Sequence, residues 1–154
     1  MLTLPSRTVP SRPVLATLSG ALMLALALTG LPASAGSSVS VSQWGHANEA
    51  ASAQGGHRQR MAITQRGRAN LTISTQDGAR NRMSVGQTGC HNVADLDQRG
   101  RRNIVGVAQN GCRNDATVTQ SGNRNAVGVI QNGHGNTANA SQHGSGNVLL
   151  IIQD

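Results

Sequence analysis

Gln109-Asn110-Gly111-Cys112-Arg113-Asn114-Asp115-Ala116-Thr117-Val118-Thr119-Gln120 holds one full period of the chain and the first residue of the next. It opens on an amide and turn formers, Gln-x-Gly-x-x-Asn, and then alternates, with Ala116 and Val118 on one side and Thr117 and Thr119 on the other. Alternation with period two marks a strand with one face turned inward. Gly supplies the backbone angles a tight arc needs, and Asn tolerates the left-handed region as well.

Outward from this stretch the pattern repeats in both directions. Gln43, Gln54, Gln65, Gln76, Gln87, Gln98, Gln109, Gln120, Gln131, Gln142 and Gln153 follow one another with no insertion or deletion in the eleven-residue spacing. Gly follows two residues after each of the first ten. Asn follows five residues after, as Asn48, Asn70, Asn81, Asn92, Asn103, Asn114, Asn125, Asn136 and Asn147, with Gln59 in its place once. Such phase over a whole chain is the signature of a stacked repeat. Each half-repeat is read as an arc, Gln-x-Gly-x-x-Asn, leading into a strand of about five residues.

The inward positions show a second period of twice the length. Alternate half-repeats place bulky pairs inward: Met61/Ile63, Met83/Val85, Val105/Val107, Val127/Val129 and Leu149/Ile151. Those between place mostly smaller pairs: Ala50/Ser52, Thr72/Ser74, Ala94/Leu96, Ala116/Val118 and Ala138/Ala140. A large column facing a small one fills a thin core at native density. The expected fold is therefore all-β: a cross-β solenoid with two strands in each 22-residue rung, five rungs from ten half-repeats. With strands about 4.8 Å apart, residues one rung apart stack directly, so inward Gln and Asn become continuous amide ladders. A buried amide is costly unless its donors and acceptors are met, and its copy one rung away meets them.

Composition agrees with a core of this kind. There is no Tyr or Phe, a single Trp and nineteen Gly, so the side chains that bury most area in a globular core are missing. Ahead of the repeat, Arg7 and Arg12 precede a mostly apolar run from Val14 to Leu31 and a Pro32-Ala33-Ser34-Ala35 end. This reads as a cleaved secretory signal over 1–35, the competing membrane anchor being disfavoured by the short run. A short segment, 36–42, would then lead into the repeat domain, 43–154. Without Arg7 and Arg12 the chain keeps eleven Arg, no Lys and six acids, a net charge of +5.

The repeat also aligns residues outside the ladder. Arg58, Arg80, Arg102 and Arg124 are 22 apart and form a column along one edge, widened by Arg60, Arg82 and Arg101. Two readings stand: a solvated face that keeps the chain soluble, or a rail for a polyanion such as extracellular DNA or acidic polysaccharide, since stacked cations repel until countered. Specific nucleic-acid recognition is disfavoured because no aromatic residues interleave with the Arg. Cys90 and Cys112 are also 22 apart, one rung on the other edge, within disulfide reach in an oxidising compartment; inter-subunit linkage and free thiols are the alternatives. Two Cys with His91 fall short of a zinc ligand set, so no metal and no cofactor are expected. Scattered acids, no recurring nucleophile–base pair and no concave pocket argue against an enzyme.

The last strand is apolar on both faces, with Val148, Leu150 and Ile152 outward, which makes it a self-association edge. A monomeric ligand-binding solenoid would call for a regular Thr ladder, and the outward positions before each Gln, Ala53, Thr64, Thr75, Gly86, Asp97 and onward, show none. A calcium-binding roll has period nine with Asp in each turn, which this chain lacks.

Gln-x-Gly-x-x-Asn-x-Ala-x-Val-x-Gln resembles the curlin repeat of curli fibre subunits, and the resemblance runs from Gln43 to Gln153. It implies a subunit exported through the outer-membrane curli secretion pore with its accessory factors, and polymerised on the surface of a Gram-negative bacterium into adhesive, biofilm-matrix amyloid. The Gln and Asn columns would be the polymerisation residues. The partners would be further copies of the chain and a second curlin-type subunit. Only Gly36 to Ser42 lie between the expected cleavage site and the first Gln, where the family has a longer pore-targeting segment. The basic character and the apolar end, Val148 to Ile152, resemble a minor, nucleating subunit, while the overall reading is of a major or undifferentiated one.

Overall fold

A computed structural model describes residues 36–154; the signal expected over 1–35 lies outside them. The described residues form eleven strands: β1 (Ser38–His46), β2 (Glu49–His57), β3 (Arg60–Arg68), β4 (Leu71–Ala79), β5 (Arg82–Cys90), β6 (Val93–Arg101), β7 (Ile104–Cys112), β8 (Asp115–Asn123), β9 (Ala126–His134), β10 (Thr137–Ser145) and β11 (Val148–Gln153). Odd strands make one parallel sheet in the order β1-β3-β5-β7-β9-β11, and even strands a second in the order β10-β8-β6-β4-β2. The register pairs Gln65 with Gln87 and Gly67 with Gly89, and Gln98 with Gln120, so the pairing step is 22 residues in both sheets. The described residues form an all-β solenoid with two strands per rung, five rungs and an added β11.

The alternation of bulky and small pairs becomes two facing columns. The odd sheet contributes Met61, Ile63, Met83, Val85, Val105, Val107, Val127 and Val129, and the even sheet Ala94, Leu96, Ala116, Val118, Ala138 and Ala140. Burying each large aliphatic side chain stabilises by about 1.5–3 kcal/mol, and stacking makes that core continuous along the axis.

Two expectations about the arc are corrected. The strands are nine residues long over most of the chain, not about five, because they run on through Gln and Gly: β7 contains both Gln109 and Gly111, and only Arg113 and Asn114 link it to β8. Gly111, at φ +118°, bends the chain without leaving the ladder, and a Cβ there would lie 1.9 Å from the carbonyl oxygen of Gly133 one rung on. Gly is thus required by close approach as well as by φ. Nor is the left-handed residue the Asn. It is the residue before, at Ala47, Arg58, Ala69, Arg80, His91, Arg102, Arg113 and Arg124, all with φ between +53° and +60°. Placing the turn one residue earlier frees the Asn side chain for the contacts described next.

Candidate functional site

The inward Gln form two unbroken chains of hydrogen bonds. On the odd sheet, Nε2 donates to the Oε1 of the next Gln from Gln43 to Gln65 (2.6 Å), Gln87 (2.8 Å), Gln109 (2.8 Å), Gln131 (2.9 Å) and Gln153 (2.9 Å). On the even sheet the chain runs Gln54, Gln76, Gln98, Gln120 and Gln142, at 2.7–2.9 Å. Gln65, Gln76, Gln87, Gln98, Gln109, Gln120 and Gln131 are buried. Each column has a direction: between its two end residues every Oε1 accepts from the rung before and every Nε2 donates to the rung after.

The second Nε2 proton reaches across the core. Gln87 donates to the carbonyl of Leu71 (3.0 Å), Gln109 to that of Val93 (2.8 Å) and Gln131 to that of Asp115 (2.9 Å), so the odd-sheet amides also tie the two sheets together. Thr72 adds to this, its hydroxyl accepting from Gln65 (3.1 Å) and donating to Gln87 (3.0 Å). The cross-core bonds and the Thr72 bridge escape a one-dimensional reading; a hydroxyl in the small inward column was the only signal.

The Asn columns are built differently from the expected amide ladder, and that expectation is corrected. Asn103 Oδ1 accepts the backbone N–H of Asn125 (3.0 Å), while its Nδ2 donates to the carbonyls of Arg99 (2.9 Å) and Gly122 (2.9 Å). Asn92 does the same with Asn114 (3.1 Å), Thr88 and Gly111. Asn81 and Asn125 likewise donate to two carbonyls each, those of Asp77 and Gly100 and those of Ser121 and Gly144. The physical reason is the bend at the strand end, where the carbonyls of Arg99 and Gly122 and the turn N–H of Asn125 point to the Asn side chain, which gives them partners. Asn is a turn bracket, and a direct amide pair occurs between Asn70 and Asn48 (3.0 Å). At the first turn of the arginine edge Ser37 stands in, its Oγ accepting from the N–H of Gln59 (3.1 Å).

Asn136 and Asn147 depart furthest from the ladder expected of them. The backbone N–H of Asn136 donates to Asn114 Oδ1 (3.1 Å) and its Nδ2 to the carbonyl of Asn132 (2.6 Å). The N–H of Asn147 donates to Asn125 Oδ1 (3.0 Å) and its Nδ2 to the carbonyl of His143 (2.9 Å). Neither touches another amide side chain through its own, and neither is buried: Asn136 is half-buried and Asn147 exposed. Within the described residues no further turn stacks on them, so each keeps the bond within its own turn and lacks the one to a glycine carbonyl one rung on.

Gln59 shows what the bracket is worth. Its Nε2 donates to the carbonyls of Gly55 and Gly78, but its Oε1 is buried without a partner, so the N–H of Asn81 lacks the bond its equivalents make. Gln59→Asn shortens the side chain by one methylene and returns Oδ1 to the column. We expect it to raise stability by about 1 kcal/mol, read as a higher denaturant midpoint at unchanged slope.

The two edges differ. Arg58, Arg80, Arg102 and Arg124 stand in the turns after the even strands, all exposed, with φ of 55°, 58°, 58° and 56°. Two grooves of about 530 and 580 Å³ flank the column, one lined by Arg58, Arg60, Arg80, Arg82 and Arg102, the other by His57, Arg80, Arg101, Arg102 and Arg124. The expectation of no concave pocket is corrected: flat strands give none, but long side chains standing off a turn edge wall one on either side. Among the described residues the one ion pair is Arg99–Asp97 (2.9 Å), on a strand face. On the opposite edge Cys90 and Cys112 are joined in a disulfide between β5 and β7, with Cα atoms 4.6 Å apart. His46, His57, His91, His134 and His143 are all exposed, and no three metal-ligating side chains gather among the described residues. Trp44 lies under the guanidinium of Arg66, 5.0 Å from ring centroid to Cζ.

Fold and columns together define a two-sheet repeat solenoid whose unit is Gln-x-Gly-x-x-Asn. The family model of the curlin associated repeat matches residues 92–122 and 111–144, which span β6 to β10 apart from the end of that strand. Residues 92–144 are thus similar to curlin associated repeats, which are structural units. A search of curated proteins finds no match to the chain.

Proposed function

We propose that this chain is a secreted structural subunit of extracellular curli-type amyloid fibres on a Gram-negative cell surface, serving adhesion and the biofilm matrix. The observation that supports it most is the direction of the Gln columns. Within the described residues the Oε1 of Gln43 and Gln54 accept no bond at one end, and Gln142 and Gln153 have no further Gln to donate to at the other. The two ends are chemically complementary, and β1 and β2 face one way with β10 and β11 the other, so copies stacked head to tail extend both columns. The same stacking would offer Asn136 and Asn147 the glycine carbonyls they lack.

A second reading, the minor nucleating subunit, is favoured by β11, where Val148, Leu150 and Ile152 are 80%, 60% and 59% exposed. Export through the outer-membrane curli pore and pairing with a second curlin-type subunit belong to the same proposal.

Diluted from denaturant, the purified chain should bind amyloid dye after a lag that sonicated fibres of the same chain abolish. A chain that stays monomeric and ignores seeds contradicts the proposal. A chain that forms fibres without a lag and seeds a different curlin-repeat chain supports the nucleating reading.

A further inference from the structure

We infer that the arginine edge is a binding site for a linear polyuronate, an acidic polysaccharide with one carboxylate on every sugar, lying along the solenoid axis. Four features of the edge point there.

The cations are fixed in register. The backbone N–H of Arg80, Arg102 and Arg124 donates to the carbonyl of His57 (3.0 Å), Ala79 (3.0 Å) and Arg101 (2.9 Å), one rung back. With near-identical φ at all four, the side chains leave the edge in one direction at a one-rung interval, about 4.8 Å.

Arginine is also a conformationally costly choice here. A non-glycine residue in the left-handed region is strained on both edges alike, and what sets this edge apart is that the position is filled by arginine four times in succession. The same column continues at Gly146, φ 75°, so the turn accepts Gly readily. The opposite edge has Ala47, Ala69, His91, Arg113 and Gly135 at equivalent positions, with no charge column.

The charge is uncompensated. No acidic residue lines either groove among the described residues: Glu49, Asp77, Asp95, Asp97 and Asp115 sit on strands of the even sheet, and Asp154 follows β11. Stacked guanidinium groups this close repel one another, which an anion bound along them relieves.

The spacing selects the ligand. A DNA strand has a phosphate about every 3.4 Å and winds away from a straight rail, so few phosphates meet an arginine in register. An extended pyranose chain advances by about one strand spacing per sugar, which offers one carboxylate per rung. Successive carboxylates of such a chain face alternate sides, and the grooves supply Arg60 and Arg82 on one side and Arg101 on the other. Guanidinium is the side chain suited to a two-pronged grip on carboxylate.

The site exists within a single chain, and rests on the fibre reading only for where the polymer is met. The test is binding of polygalacturonate to the purified chain while monomeric, with duplex DNA at equal charge concentration as comparison. We expect polygalacturonate to bind about tenfold more tightly than DNA, and Arg80→Gly/Arg102→Gly to lose about tenfold while melting no lower than the unaltered chain. Arg68→Gln/Arg113→Gly removes the same charge from the disulfide edge and should stay within about twofold of the unaltered chain. Equal losses from both edges, or DNA binding as tightly as polygalacturonate, overturns the inference. A chain that binds polygalacturonate as expected but never polymerises refutes the fibre proposal and leaves this one standing.

Discussion

Gly100→Ala should lose about 4 kcal/mol of stability or more, although the change adds a single methyl group. Gly100 sits in β6, with β4 and β8 hydrogen-bonded on either side, at φ +115°, a region that L-residues rarely enter and that costs about 1–3 kcal/mol when they do. The new Cβ would lie 1.9 Å from the carbonyl oxygen of Gly122 and 2.9 Å from its carbonyl carbon. Backbone on a neighbouring rung cannot rotate aside as a side chain can. Relief requires the rungs to part, which stretches ladder bonds worth about 1 kcal/mol each and pulls Asn103 from its bracket on Gly122. Gly106→Ala is the matched control, since nothing lies within 4 Å of a Cβ there and the position faces outward on β7. It should be neutral or stabilising by about 0.5–1 kcal/mol, through the lower entropy of the unfolded chain. Denaturant midpoints of the two variants measure the contrast; equal midpoints would show that the glycine column is not under steric constraint.

Removing 22 residues should do less harm than removing one. Deletion of 115–136 takes out β8 and β9 together, joins Asn114 to Thr137, and leaves β10 in the even sheet with every Gln, Gly and Asn still in phase. In a stacked repeat, stability is close to a sum over rungs and their interfaces, so the shortened chain loses one rung and keeps the rest. Deletion of Thr117 alone throws the chain beyond it out of register by one residue. A slip of one turns the inward set outward, taking Val118, Gln120 and the strands that follow from their columns. The cost is on the order of 3–5 kcal/mol, and protection from hydrogen exchange should disappear from β8 to β11 while surviving in β3 to β6. Deletion of 115–125 tests the second period: β9 would then take an even place, setting Val127 and Val129 against a bulky column in a core built for a small partner. Its stability should fall between the other two. Should the 22-residue and 11-residue deletions prove equally stable, the rung is not two unlike strands.

The period, the two unlike strands per rung and the inward residues were all legible in the sequence, because each is a spacing and stacking turns spacing directly into contact. The strand ends were not. Gly in a polar stretch reads as a turn, whereas here the ladder runs through Gly111 and closes so tightly on Gly133 that no side chain fits between. The role of Asn was hidden for a different reason. An amide column and a turn bracket ask for the same residue at the same interval, and only the geometry of the left-handed residue before it, Arg102 ahead of Asn103, separates them. Asn136 and Asn147 make the point at the end of the stack, where the bond within the turn persists and no amide pair forms. Positions along the arginine edge were legible, but the grooves beside it are not, since they arise where Arg60 and Arg82 from strand starts meet Arg58 and Arg80 from turns.

The central claim is that copies of this solenoid continue one another's ladders, and fibre diffraction from aligned assemblies of the purified chain tests it most directly. The account predicts a sharp meridional reflection near 4.7–4.8 Å from the strand spacing, and an equatorial one near 10 Å from the two packed sheets. Assemblies lacking the meridional reflection, or a chain that remains a soluble monomer under the same conditions, would contradict it.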